Sequence, residues 1–87
     1  MLNMKDARLA VHMSSDAFDS LISSLLDTAV ADLAAVGVVE QDDALYDNAL
    51  RMYLKGHFEP GTEEAEKCRG IYEDIKITMR NTDKYRG

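Results

Sequence analysis

The sequence predicts an all-α fold, a small antiparallel bundle of about four helices. Three observations predict it. Apolar residues recur at spacings of three and four in every long segment. Helix-starting and helix-ending residues (Ser14 and Ser15, Gly37, Asp42 and Asp43, Pro60, Gly61 and Thr62) stand at the ends of those segments. The connections between segments are short, which makes an antiparallel bundle the default packing.

The first helix is expected over Met4 to His12. Ser14 and Ser15 then offer an N-cap, with Asp16 and Asp19 in the first turn, where the helix dipole favours negative charge. The second helix is expected from about Asp16 to Val36, ending at Gly37 as a left-handed cap. Its apolar positions, from Phe18, Leu21 and Leu25 through Leu33 and Val36, cover an arc of about 180° at 100° per residue. One packing face needs less, so this helix is expected to be central, with neighbours on two sides.

Val38 to Gln41 forms a link with room for a brief extended segment. Asp42 or Asp43 caps the third helix, which runs to about His57. The Glu59-Pro60-Gly61-Thr62 corner follows, because proline cannot continue a helix. Thr62 is the expected N-cap of the fourth helix, with Glu63, Glu64 and Glu66 at its positive end. Ala65, Cys68, Ile71, Tyr72, Ile75 and Met79 make its apolar stripe. The polar tail, Asn81 to Gly87, is expected to fray.

Eighty-seven residues make one domain over 1–87, near the size at which burial by a partner supplements a modest core. Acids interrupt the longest apolar region, so no membrane span is expected. The first residues, from Met1 to Asp6, lack the basic-then-apolar pattern of a signal peptide. A lone Cys68 fits a reducing compartment.

The net charge of −6 is concentrated mid-chain: between Leu9 and Leu50 stand eight acids and no Lys or Arg. Such a surface repels phosphate, which disfavours sequence-specific nucleic-acid binding. It reads either as a solvated face that keeps the protein soluble or as a wall past which DNA moves without sticking.

No catalytic, cofactor-binding or metal-ligating residues are assigned, and no cofactor is expected. His12, His57 and Cys68 are scattered single residues, whereas a metal site needs several ligands at suitable spacing. Cys68 lies on the apolar stripe, where a buried inert thiol is expected. His57 sits in the last turn of the third helix, where a cation suits the dipole.

The candidate contact residues are Phe18, Leu25, Asp32, Arg51, Tyr53, Phe58 and Tyr72. Asp32 falls at the edge of the second helix's apolar arc, on the Leu21 and Leu25 side, near the negative helix end. Either it has a partner, with Arg51 or Lys55 the candidates within the chain or across a subunit boundary, or it reaches solvent past Ala35. Tyr53, Phe58 and Tyr72 either all fill the core between the third and fourth helices, or Phe58 anchors a neighbouring subunit from its corner.

Taken in order, Asp32-Leu33 with Gly37-Val38, Ala49…Tyr53-Leu54-Lys55…Phe58 and Tyr72-Glu73-Asp74-Ile75-Lys76 resemble the head–tail connector (adaptor) family of long-tailed bacteriophages and prophages. Lys5…Leu9…Val11 and Asp19 also suit the family, so the resemblance spans nearly the whole chain. The chain departs from it at Glu59-Pro60, where members often have glycine with an aromatic, and at Gly56, where alanine is usual. The resemblance implies an all-helical virion protein whose subunits form a ring beneath the portal and extend the DNA channel. Its implied partners are further copies of itself, the portal protein and a tail-side stopper or tail-completion protein, with only non-specific proximity to DNA. It also implies location at the head–tail junction, and in the host cytoplasm during assembly. The competing expectation is a small acidic helical regulator, antitoxin-like or anti-repressor, that binds one protein through the second-helix face.

Overall fold

Three of the four α-helices begin at a side chain that accepts a backbone amide. Asn3 Oδ1 takes the Asp6 N–H at 2.8 Å, Asp43 Oδ1 the Tyr46 N–H at 2.9 Å, and Thr62 Oγ1 the Ala65 N–H at 3.0 Å. Each bond satisfies a donor that the first helical turn leaves unpaired. The computed structural model describes residues 2–87, and Met1 lies outside them. Its helices are α1 (Met4–Ala10), α2 (Asp19–Ala35), α3 (Ala44–Phe58) and α4 (Glu63–Arg80), followed by a 3-10 helix at Asp83–Tyr85. The fold is the small all-α bundle that the periodicity predicts. Among the described residues the sole extended pairing is an isolated antiparallel bridge between Val38 and Arg86.

Several boundaries differ from expectation. The first helix stops at Ala10, because His12 adopts a left-handed backbone with φ 61°. The Met13 N–H then bonds the Arg8 carbonyl at 2.8 Å, closing a Schellman-type cap in the place where glycine is usual. α2 begins at Asp19, three residues later than expected, and Phe18 at its cap position makes no side-chain bond. Ser15 instead accepts the Ala17 N–H in a local turn, while Asp19 pairs with Arg8 of α1. Asp43, not Asp42, is the α3 cap. Gly37 is left-handed as expected, with φ 85°.

The central helix is α3, not α2. It packs against α4, α2 and α1, and Ala44 at its first turn is its one exposed residue. Tyr46, Ala49, Leu50 and Leu54 are buried along it. α2 contributes Ile22, Ala29 and Leu33 to that core, one stripe of its wide apolar arc. Leu25, Leu26, Val30 and Val36 pack half-buried against the core, while Phe18 and Leu21 at the start of the arc stay 47% and 45% exposed. On α4, Ala65, Cys68, Tyr72 and Met79 are buried as the stripe predicts, but Ile71 faces solvent.

The tail does not fray. Tyr85 is buried, its hydroxyl donates to Asp43 Oδ2 at 2.7 Å, and Lys84 reaches the same oxygen at 2.7 Å. The Val39 N–H bonds the Tyr85 carbonyl at 2.7 Å, and Gln41 Nε2 donates to the Lys84 carbonyl. Asp43 thus caps α3 and holds the C-terminal segment through one carboxylate. These contacts hold its carboxyl down at about 2, the Lys84 bond counting most and the Tyr46 amide next.

Candidate assembly surface

Asp32 precedes the buried Leu33 by one residue, which turns it about 100° away from the α2–α3 contact. That rotation aims it at α4, where Tyr72 and Lys76 stand one turn apart on the same side. The Tyr72 hydroxyl donates to Asp32 Oδ2 at 2.5 Å, and Lys76 Nζ reaches the same oxygen at 3.1 Å. Glu73 holds Lys76 from the other side at 2.8 Å. The partner is therefore neither Arg51 nor Lys55, because Asp32 faces α4 and its oxygen is taken by Tyr72 and Lys76. Lys55 pairs with Glu64 at 3.3 Å, and Arg51 forms no ion pair among the described residues.

The Tyr72 bond holds the Asp32 carboxyl below the usual carboxylate range against the opposing effect of burial, with Lys76 assisting. Burial, then the bond to Asp32, pushes the Tyr72 phenol well above its ordinary value. Each group is thus fixed in its ordinary protonation state. A phenol whose proton is held more tightly is the reverse of an activated base or nucleophile. The arrangement is a clasp between α2 and α4.

Around it the aromatic rings interlock. Tyr53 meets Tyr72 edge to face at 5.1 Å between centroids and lies tilted over His57 at 4.1 Å. Burial, followed by the nearby Arg69 cation, pulls the His57 pKa below its ordinary value. Phe58 meets Phe18 edge to face at 5.8 Å, so the corner residue packs within its own chain and is half-buried. Tyr72 is the one of the three aromatics that is fully in the core, and Tyr53 is half-buried beside it.

The expected contact residues therefore sort into two groups and two single residues. Asp32, Tyr53 and Tyr72 form the clasp with Lys76, and Phe18 meets Phe58, while Leu25 packs half-buried against the core. Arg51 stands apart from both. Sequence reasoning missed Lys76 as the second donor to Asp32, although its spacing of four from Tyr72 was a readable signal. It also missed Arg69, whose guanidinium donates to the Gly56 carbonyl at 2.7 Å and the Pro60 carbonyl at 3.2 Å. Arg69 thereby satisfies carbonyls at the end of α3 and fixes the corner. A Cβ on Gly56 would lie 2.6 Å from Arg69 Cγ, so a side chain there would crowd Arg69.

In comparisons with known proteins, no family model, curated sequence or solved structure matches this chain. Among the described residues no group of three His, Cys, Asp or Glu side chains is placed to hold a metal ion. Among these residues no helix is long and apolar enough to cross a membrane. The exposed apolar side chains Leu21 and Phe18 lie one and two turns before Leu25, on the edge of α2 that also carries Asp32.

Proposed function

We propose that the chain is a head–tail connector of a long-tailed bacteriophage or prophage, a structural virion protein that forms a ring between portal and tail components and extends the DNA channel. One observation supports the reading above the others. The three segments that carry the family resemblance, distant in sequence, meet around a single carboxylate: Asp32 with Tyr72 and Lys76, and Tyr53 against Tyr72. The α2 edge beside that clasp carries the exposed apolar residues Phe18 and Leu21. Burying Phe18 and Leu21 against a neighbour would contribute roughly 1 kcal/mol or more each, given their half exposure. The role asks for surfaces and no reaction, and its partners are further copies, the portal protein and a tail-side stopper or tail-completion protein.

Sedimentation velocity over a wide concentration range, with and without the portal ring, tests the proposal. Association with itself or co-sedimentation with the portal supports it, and a strict monomer that ignores the portal ring sinks it. The exposed Phe18 and Leu21 also suit the alternative, a small acidic regulator that docks one protein through α2. That reading requires a stable complex of fixed low stoichiometry with a toxin or repressor and no binding to portal.

A further inference from the structure

The two ends of α2 carry different exposed surfaces. At its start, Phe18 and Leu21 are large exposed apolar side chains a single turn apart. The others among the described residues, Leu9, Val39, Ile71 and Ile77, have no such neighbour three or four residues away. The edge-to-face contact with Phe58 holds the Phe18 ring in place, so meeting a partner costs it little further ordering. The Asp19 N–H bonds the Asp16 carbonyl at 3.1 Å, which keeps Asp16 beside this apolar knob. Asp16 is exposed and, among the described residues, forms no ion pair, because the nearby Arg8 is held by Asp19.

Past the other end of α2 lies a hollow of about 840 Å³, between the C-terminal ends of α2 and α4. That size falls among clefts that enclose a small ligand, about 300–1,000 Å³, so it has room for two apolar side chains. Val30, Val36 and the exposed Val39 give it apolar walls, and Arg80 and Arg86 bring two cations against the single acid Glu40. Arg80 is exposed and forms no ion pair among the described residues, and Arg86 has Asp83 alone, at 3.3 Å. In a chain of net charge −6, an apolar hollow with a cationic excess selects an occupant that is apolar and anionic. The knob at the start of α2 meets both requirements. α2 is 17 residues long, about 25 Å, so a chain cannot seat its own knob in its own hollow.

We propose that the hollow at the C-terminal end of α2 seats the Phe18–Leu21 knob of a second copy of this chain, with Asp16 of one copy pairing to Arg80 of the other. The two patches differ, so the contact is heterologous and leaves one free knob and one free hollow on each pair, the arrangement that closes into rings. This rests on the connector reading and names the surfaces through which its subunits meet.

Charge reversal and mixing test the contact. Asp16→Arg alters the knob and Arg80→Glu the hollow, and each places like charges opposite one another. Both sites are exposed, and unchanged circular dichroism and melting temperature confirm folding. By sedimentation velocity, each variant alone is expected to self-associate roughly tenfold or more weakly than the wild type. Leu21→Ser, which alters no charge, is expected to weaken self-association by a similar factor. Mixed in equal amounts, Asp16→Arg and Arg80→Glu are expected to recover most of the association, because every contact between unlike variants again joins opposite charges. Self-association that survives these substitutions overturns the inference while leaving the connector reading standing. So does a weakening of both charge variants that mixing fails to rescue. A wild-type chain that binds the portal ring yet never self-associates also overturns it alone, and one that does neither overturns both.

Discussion

Tyr72→Phe removes one oxygen and leaves the ring, so it isolates the bond that ties α4 to α2. The hydroxyl is buried and donates to a charged acceptor at 2.5 Å, a class of bond that contributes about 1.5–3 kcal/mol. The Asp32 side chain is 41% exposed and keeps Lys76, which lowers the expected loss to about 1–1.5 kcal/mol. Asp32→Ala costs more, about 2–3 kcal/mol, because it strands a buried phenol and leaves Lys76, 17% exposed, with Glu73 alone. Once Asp32 is gone, deleting the hydroxyl removes an unsatisfied donor. The two losses are therefore not additive, with a coupling of about 1 kcal/mol. Urea denaturation followed by circular dichroism measures all four species of the cycle. For a domain of this size the Tyr72→Phe loss corresponds to a melting-temperature drop of about 5–10 °C. A loss below about 0.3 kcal/mol, or strict additivity, would refute the clasp. Acid adds a check of sign. Because the Asp32 pKa is lowered on folding, its contribution is whole above the ordinary carboxylate value and fades as pH falls through the depressed one.

Three further outcomes are expected. His12→Gly relieves the left-handed strain at the end of α1 and raises stability by about 0.5–1 kcal/mol in urea titration, whereas no gain would show that the cap is unstrained. Gly56→Ala drives a methyl against Arg69 and lowers stability by about 1–2 kcal/mol after the gain in helix propensity is subtracted, and a stabilised variant would contradict the close approach. Asp43 is held down at about 2, so its contribution is whole above about pH 4 and fades as pH falls through about 2. Asp43→Asn should therefore flatten the acid limb of a stability–pH curve and loosen the tail, seen as faster amide exchange at Val39; an unchanged limb would count against the latch.

Local chemistry was legible in the sequence wherever one residue decides a boundary. Asp43, Thr62, Gly37 and the Pro60–Gly61 corner act through their own backbone or nearest amides, and the structure places them as caps and breaks. Legibility failed where a boundary depends on a distant contact. Ser14 and Ser15 look like caps, but Arg8 draws Asp19 to α1 and the intervening residues turn locally. The tail looks polar because Tyr85 is its one apolar anchor, and its docking depends on Asp43, forty-two residues away in sequence. The arc of α2 was read correctly in width and wrongly in consequence. A wide arc marks either a central helix or an uncovered one, and only packing against α3 separates the two. For the same reason the sequence points to α3 for the partner of Asp32, whereas the side chains that reach it come from α4.

Negative-stain micrographs of the purified chain mixed with the portal protein encoded in the same genome test the central claim most directly. The connector account predicts a second ring seated coaxially beneath the portal ring, with the portal's symmetry. Bare portal rings beside unassembled chain, at concentrations well above micromolar, would contradict it.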